Sequence, residues 1–144
     1  DAGHVVGNHT WWHPHLCEVS GERIVREIAG TNKVIEAATG VRPQWFRPPA
    51  GSLDDRVTAE LDREGMRAAL WTVDPRDWRD DATAVEIVAH VTAAARSGSI
   101  VVLHDGGGDQ SATITALPAL IDTLRAQGYQ FVTLEEMASV RASW

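Results

Sequence analysis

One rhythm recurs along this chain: an amphipathic helical stretch, a glycine, and then a short apolar run. Residues 20–39 carry Ile24, Ile28, Val34, Ile35 and Ala38 on a helical stripe, with Ser20 placed to cap the start and Gly40 to end it. Val57 and Leu61 stand i, i+4 within 54–64, just before Gly65. Val85, Val88, Val91 and Ala95 line one side of 83–96, ahead of Gly98. Leu117, Leu120, Ile121 and Leu124 line 112–127, ahead of Gly128. A glycine just past a helix end suits a left-handed cap, where a Cβ is penalised. Between the helices fall five expected strands, at 4–7, 45–46, 67–73, 99–103 and 129–132, and a last short helix is expected over 134–140. The run Ile100-Val101-Val102-Leu103 does not alternate, as expected of a parallel strand covered on both faces. Strand followed by helix, five times over, constrains the chain to an α/β fold with a parallel sheet and right-handed crossovers.

The 144 residues provide for one hydrophobic core. A formal net charge of −7 argues against nucleic acid or an anionic membrane as the partner, because both reward clustered Lys and Arg. Cys17 is single and forms no internal disulfide. No apolar run approaches the roughly 20 residues of a membrane span, and no signal-peptide pattern is present. Tryptophan, with six residues, outnumbers Phe and Tyr together.

In α/β sheets, ligands bind beyond the carboxyl ends of the strands, so the residues that follow each strand test for a site. The first strand is followed by His9-Thr10-Trp11-Trp12-His13-Pro14-His15, the second by Arg47-Pro48-Pro49-Ala50-Gly51, the third by Asp74-Pro75-Arg76-Asp77-Trp78, and the fourth by His104-Asp105-Gly106-Gly107-Gly108. Only the fifth ends without a reactive group, at Thr133. His9 and His13, four apart, can reach one Zn²⁺ from a single loop turn; the competing reading is a pair of surface histidines. His15 is a weaker third candidate, and His4 and His90 read as structural. Arg47, stiffened by two prolines, suits a carboxylate or is a solvated loop arginine. The N–H groups after Pro49 are donors for a developing oxyanion. Asp74 and Asp77 orient a cation or a histidine, or simply build a turn, and Trp78 offers a floor for a sugar. His104 ends the most apolar strand, as a rigid general acid or as a buried structural histidine. The chain has no G-x-S-x-G elbow and no H-E-x-x-H motif, which argues against an α/β-type serine hydrolase and a zincin protease.

Taken in order, these four segments resemble the motifs of the polysaccharide deacetylases, carbohydrate esterase family 4, also called the NodB-homology domain. His9-Thr10-Trp11-Trp12-His13-Pro14 is similar to the family's H-[ST]-x-x-H metal motif. Trp45-Phe46-Arg47-Pro48-Pro49-Ala50-Gly51 is similar to R-x-P-x-G, Asp74-Pro75-Arg76-Asp77-Trp78 to D-x-x-D-W, and Val102-Leu103-His104 to L-x-H. The resemblance implies a distorted, partial β/α barrel of about five β-α units. It implies that His9 and His13 hold zinc or another divalent transition metal, with Thr10 bonded to the second histidine. It further implies that the Ala50 N–H completes an oxyanion hole beside Gly51, and that Arg47 positions the catalytic base. His104 would protonate the departing amine under the influence of Asp74 or Asp77, and Trp78, Val102 and Leu103 would line the groove and acetyl pocket.

The family's first motif, T-F-D-D-G, which supplies the base and a third metal ligand, has no counterpart here. Asp54-Asp55, Asp80-Asp81 and Glu135-Glu136 follow no buried strand and read as helix-start or surface charges. The expectation is therefore the carboxyl-terminal portion of a single deacetylase domain, an expectation to which a chain beginning at Asp1 rather than Met contributes. The reaction expected is metal-dependent hydrolysis of N-acetyl or O-acetyl groups on a glycan: chitin oligomers, peptidoglycan or xylan. Family habit places such proteins outside the cell or in its envelope. The competing class is a non-catalytic carbohydrate-binding or scaffold protein of the same fold, and a third possibility is a split enzyme completed by another chain.

Overall fold

A computed structural model describes residues 3–141, and the chain divides into two units, Asp1–Leu70 and Trp71–Trp144. In the first unit, the Ser20 hydroxyl accepts the Arg23 N–H and opens helix α1 (Gly21–Val25). The helix runs through a π-helical turn at Arg26–Gly30 into α2 (Thr31–Thr39) and stops at Gly40, whose φ of 75° only glycine adopts without cost. The expected helix over 20–39 is thus present, with a widened turn that its apolar spacing does not announce. After β1 (Trp45–Phe46), Asp54 caps α3 (Asp55–Glu64) by accepting the N–H groups of Arg56 and Val57, and Gly65 ends that helix at φ 67°. β2 (Arg67–Ala68) pairs in parallel with β1, Trp45 opposite Arg67 and Phe46 opposite Ala68. Asn8 bridges Phe46 on the other side, so the local order is Asn8, β1, β2. Leu16, Ile24, Ile28, Phe46, Val57, Leu61 and Met66 fill the core between this sheet and the helices.

In the second unit, Val73 and Val101 form a parallel bridge: the Thr72 N–H donates to the Ile100 carbonyl, and the Val102 N–H to the Val73 carbonyl. Thr83 and Glu86 form a reciprocal capping box at the start of α4 (Ala84–Ala94), which packs on α5 (Ser111–Ala126). Val73, Val91, Ala95, Leu120 and Leu124 make the core. A last helix, α6 (Leu134–Arg141), begins at a similar Thr133–Glu136 pair.

The α/β order holds, but the ladders are shorter than expected. Among the described residues, 4–7 and 129–132 form no regular strand, and Val5, Val6, Phe131 and Val132 are exposed. Of the run from Ile100 to Leu103 only Val102 is buried, so this strand is not covered on both faces. A strand is defined by its neighbours as much as by its residues, and among the described residues ladder partners are found only at Asn8, Trp45–Phe46, Arg67–Ala68, Val73 and Val101. α4 also ends early, at an extended Ala95, and Gly98 turns the chain three residues later.

Candidate active site

The segment after the first apolar run is a loop in which the backbone N–H groups from Thr10 to His13 all find side-chain acceptors. Asn8 is fully buried; its Nδ2 donates to the Ile28 carbonyl (2.9 Å) and to Asn32 Oδ1 (2.7 Å), while its Oδ1 accepts the Thr10 N–H (2.8 Å). Glu27, 2% exposed, accepts the N–H groups of Trp11 and Trp12 on one oxygen at 2.9 Å each, and Arg23 Nε on the other at 2.7 Å. These bonds hold Thr10 and His13 at φ 67° and 54°, left-handed conformations that side-chain-bearing residues resist. The strain brings two imidazoles together: the His9 and His13 rings meet edge to face with centroids 4.9 Å apart. Thr10 does contact the second histidine, but its Oγ1 accepts the backbone N–H of His13 (3.0 Å) rather than fixing the ring.

His9 Nδ1 lies against the Arg47 carbonyl oxygen, which only accepts, so Nδ1 carries the proton and the ring's unprotonated nitrogen is Nε2. Metal-binding histidines are commonly oriented by such a bond. Two imidazoles of this kind fit a divalent transition metal, yet a catalytic zinc site takes about three protein ligands. Among the described residues, no group of three His, Cys, Asp or Glu converges on one point. His15 is exposed and precedes a short 3₁₀ turn at Leu16–Glu18, and His4 and His90 are exposed on their segments.

The Arg47 segment is also built from strained backbone. Pro48 and Pro49 are buried, Ala50 is exposed at φ 51°, and Gly51 follows at φ 70° in a 3₁₀ turn. The Gly51 and Ser52 N–H groups close that turn on the carbonyls of Pro48 and Pro49, whereas among the described residues no such bond engages the Ala50 N–H. That leaves the Ala50 amide as a donor not used by the turn, and no acidic side chain pairs with the Arg47 guanidinium among the described residues.

In the second unit the chemistry centres on Asp77, buried to 2% exposure. Its carboxylate accepts the His104 backbone N–H (2.7 Å), the Thr113 hydroxyl (2.9 Å) and His104 Nδ1 (2.8 Å). His104 is therefore a half-buried imidazole whose Nδ1 is tied to a fixed carboxylate, leaving Nε2 to exchange protons. Asp74 is not the partner: its Oδ1 accepts the Arg76 N–H (2.8 Å) in an Asx turn that supports Arg76 at φ 55°. Trp78 is exposed beside this pair, Leu103 is half-buried against the core cluster, and Val102 is buried, so of the two apolar residues Leu103 presents the surface.

The acidic pairs have other duties. Val57 and Arg56 hold the Asp54 carboxyl below its usual range, with the Val57 N–H the larger influence. Arg79 does the same to Asp81 through a paired hydrogen bond, and Thr133 to Glu136. Four residues escaped the sequence reading: Asn8, Glu27, Asn32 and Thr113. Glu27 had a signal, since it interrupts the apolar stripe of Ile24 and Ile28; Thr113, 36 residues from Asp77, had none.

A sequence model of the polysaccharide deacetylase family matches residues 1–69. A peptidoglycan-N-acetylglucosamine deacetylase of Bacillus cereus is 40% identical over 137 residues, which cover 94% of this chain and 63% of that protein. The solved structure of peptidoglycan deacetylase PdaC from Bacillus subtilis superposes with a TM-score of 0.87 at 35% identity, over 98% of this chain and 66% of that one. A CE4-family pseudoenzyme from Bacillus anthracis gives a TM-score of 0.84 at 35% identity, over 92% of this chain and 45% of that one. The chain thus spans less than two thirds of the length of these relatives. Shared α/β architecture and identity along nearly the whole chain lead to one assignment: the chain belongs to the polysaccharide deacetylase family, carbohydrate esterase family 4.

Proposed function

We propose that these residues are the carboxyl-terminal portion of a deacetylase domain that hydrolyses N-acetyl, or O-acetyl, groups on peptidoglycan or a related acetylated glycan. The carrying observation is the His9–His13 pair, whose rings meet with centroids 4.9 Å apart and whose first member is oriented by its Nδ1 bond to the Arg47 carbonyl. Relatives named as peptidoglycan and chitooligosaccharide deacetylases support the substrate class. Their greater length supports placing the catalytic base and a third metal ligand on residues outside these 144, within a partial β/α barrel of about five β-α units here. A protein acting on such a substrate would work at the cell envelope or outside the cell.

In this reading His9 and His13 hold zinc or a similar divalent cation. When bound, that ion supplies Lewis acidity to the acetyl carbonyl and lowers the pKa of a water molecule. The Ala50 N–H, which takes no part in the turn's backbone bonds, donates to the oxygen that gains charge as water adds to the acetyl carbon. Arg47 orients the base. The C–N bond then breaks, and His104, steadied by Asp77, passes a proton to the departing sugar nitrogen, giving acetate and a free amine. Trp78 and Leu103 supply apolar surface for the sugar and the acetyl methyl group.

A non-catalytic glycan-binding role is the second reading, favoured by the two-ligand histidine site and by likeness to a structure described as a pseudoenzyme. Acetate release from acetylated peptidoglycan by the polypeptide of full family length separates them. Zinc-dependent release that EDTA abolishes supports deacetylation; glycan binding with background acetate supports the second reading.

A further inference from the structure

A pocket beside the histidine loop takes no part in the chemistry above. It is an open depression of roughly 250 Å³ lined by Trp11, Trp12, Arg23, Arg26, Thr31 and Val34, together with the buried Glu27. Sites for drug-sized ligands start near ~300 Å³, so this one has room for a single ring rather than an oligosaccharide. Three features of its wall point to a ligand. Trp11 and Trp12 are 59% and 70% exposed, an unusual cost for two adjacent indoles unless something covers them. The Thr31 hydroxyl is a buried oxygen with no hydrogen-bond partner among the described residues, although a helical threonine commonly satisfies itself on the preceding turn. Glu27 is consumed by Arg23 and by the two tryptophan N–H groups, so no carboxylate pairs with Arg26 among the described residues, and one positive charge is left at the rim of a chain of net charge −7. The widened turn at Arg26–Gly30 runs along the same wall, and π-helical turns are frequent at functional sites.

We propose that this pocket binds one acidic pyranose of a glycan, its ring face against the exposed indoles and its carboxylate on Arg26. An aromatic face suits the apolar C–H side of a sugar ring, the Thr31 hydroxyl suits a ring hydroxyl, and a guanidinium selects a carboxylate. The site uses neither His9, His13 nor His104, so it goes beyond the deacetylase reading and does not require it.

Isothermal titration calorimetry of the polypeptide of full family length in EDTA tests the proposal, since binding is then measured without any acetyl chemistry and without relying on the indoles that the variants remove. The probes are the N-acetylglucosaminyl–N-acetylmuramic acid disaccharide, which carries a carboxylate, and neutral chitobiose of equal length. Wild type is expected to favour the acidic disaccharide by about fivefold, the worth of one exposed charge pair. The double variant Trp11→Ala/Trp12→Ala weakens it about tenfold, and Arg26→Gln about fivefold, leaving chitobiose unaffected. Arg26 lies exposed on a helix, so its variant keeps the fold even if the tryptophan variant does not. Equal affinity for the two sugars with no loss in Arg26→Gln overturns the proposal, as does failure of wild type to bind either. Absence of acetate release leaves it standing, because no step of the test depends on catalysis.

Discussion

Glu27 should be the keystone of the histidine loop, and replacing it with glutamine tests that in energetic terms. Glutamine keeps the shape and one acceptor oxygen, so the N–H groups of Trp11 and Trp12 still find a partner, but the bonds lose their charge. A hydrogen bond to a charged group contributes ~1.5–3 kcal/mol and a neutral one ~0.5–1.5, a loss of ~1 kcal/mol for each of the two. The new amide also turns a donor toward Arg23 Nε; Arg23, 38% exposed, swings into water, which adds only ~0.5 kcal/mol. The sum is ~2.5 kcal/mol. With a urea slope of ~1.5 kcal/mol per molar for a small domain, the unfolding midpoint of Glu27→Gln falls by ~1.7 M. Arg23→Met leaves the loop bonds in place and lowers the midpoint by less than ~0.7 M. A shift below ~0.3 M for Glu27→Gln, or equal shifts for the two variants, would refute the reasoning.

Other consequences follow from the same geometry. Ala50→Gly relieves a left-handed residue and should raise stability by ~0.5–1 kcal/mol, read as a higher Tm. Thr113→Val removes one of three donors to the buried Asp77 carboxylate and should cost ~1–2 kcal/mol in chemical denaturation. Asp54, Asp109 and Glu136 each have a folded pKa held below the usual 3.8 or 4.5 by backbone N–H donors, led by those of Val57, Ser111 and Thr133. A lowered carboxyl stabilises the fold above its unfolded pKa and loses that contribution as pH falls through the folded one. The urea midpoint should therefore decline below about pH 4.5, and Asp54→Asn should flatten that slope.

Much of this arrangement is legible in the residues alone. The helix over 20–39 shows its cap at Ser20 and its stop at Gly40, because capping is local chemistry. The reactive groups were legible too, because each sits just after an apolar run. What holds them was not. The donors to Glu27 are backbone N–H groups 15 and 16 residues away, and every residue has one, so no side-chain pattern marks them. Spacing also left Asp74 and Asp77 equivalent; only the fold shows that one closes a turn while the other grips His104. The strands were overextended for a related reason. Val5, Val6, Phe131 and Val132 are apolar enough for a sheet, but pairing depends on neighbouring strands that local sequence does not report.

The central claim is that His9, His13, Ala50 and His104 are parts of a working deacetylase. Its most direct test is acetate released per enzyme from acetylated peptidoglycan by the polypeptide of full family length, with and without zinc. The account predicts zinc-dependent release that falls by at least ~100-fold in His104→Ala, the usual contribution of a general acid, and that is lost in His9→Ala together with zinc binding. Release that persists in both variants, or a folded zinc-loaded protein that binds the glycan and frees no acetate, would contradict it.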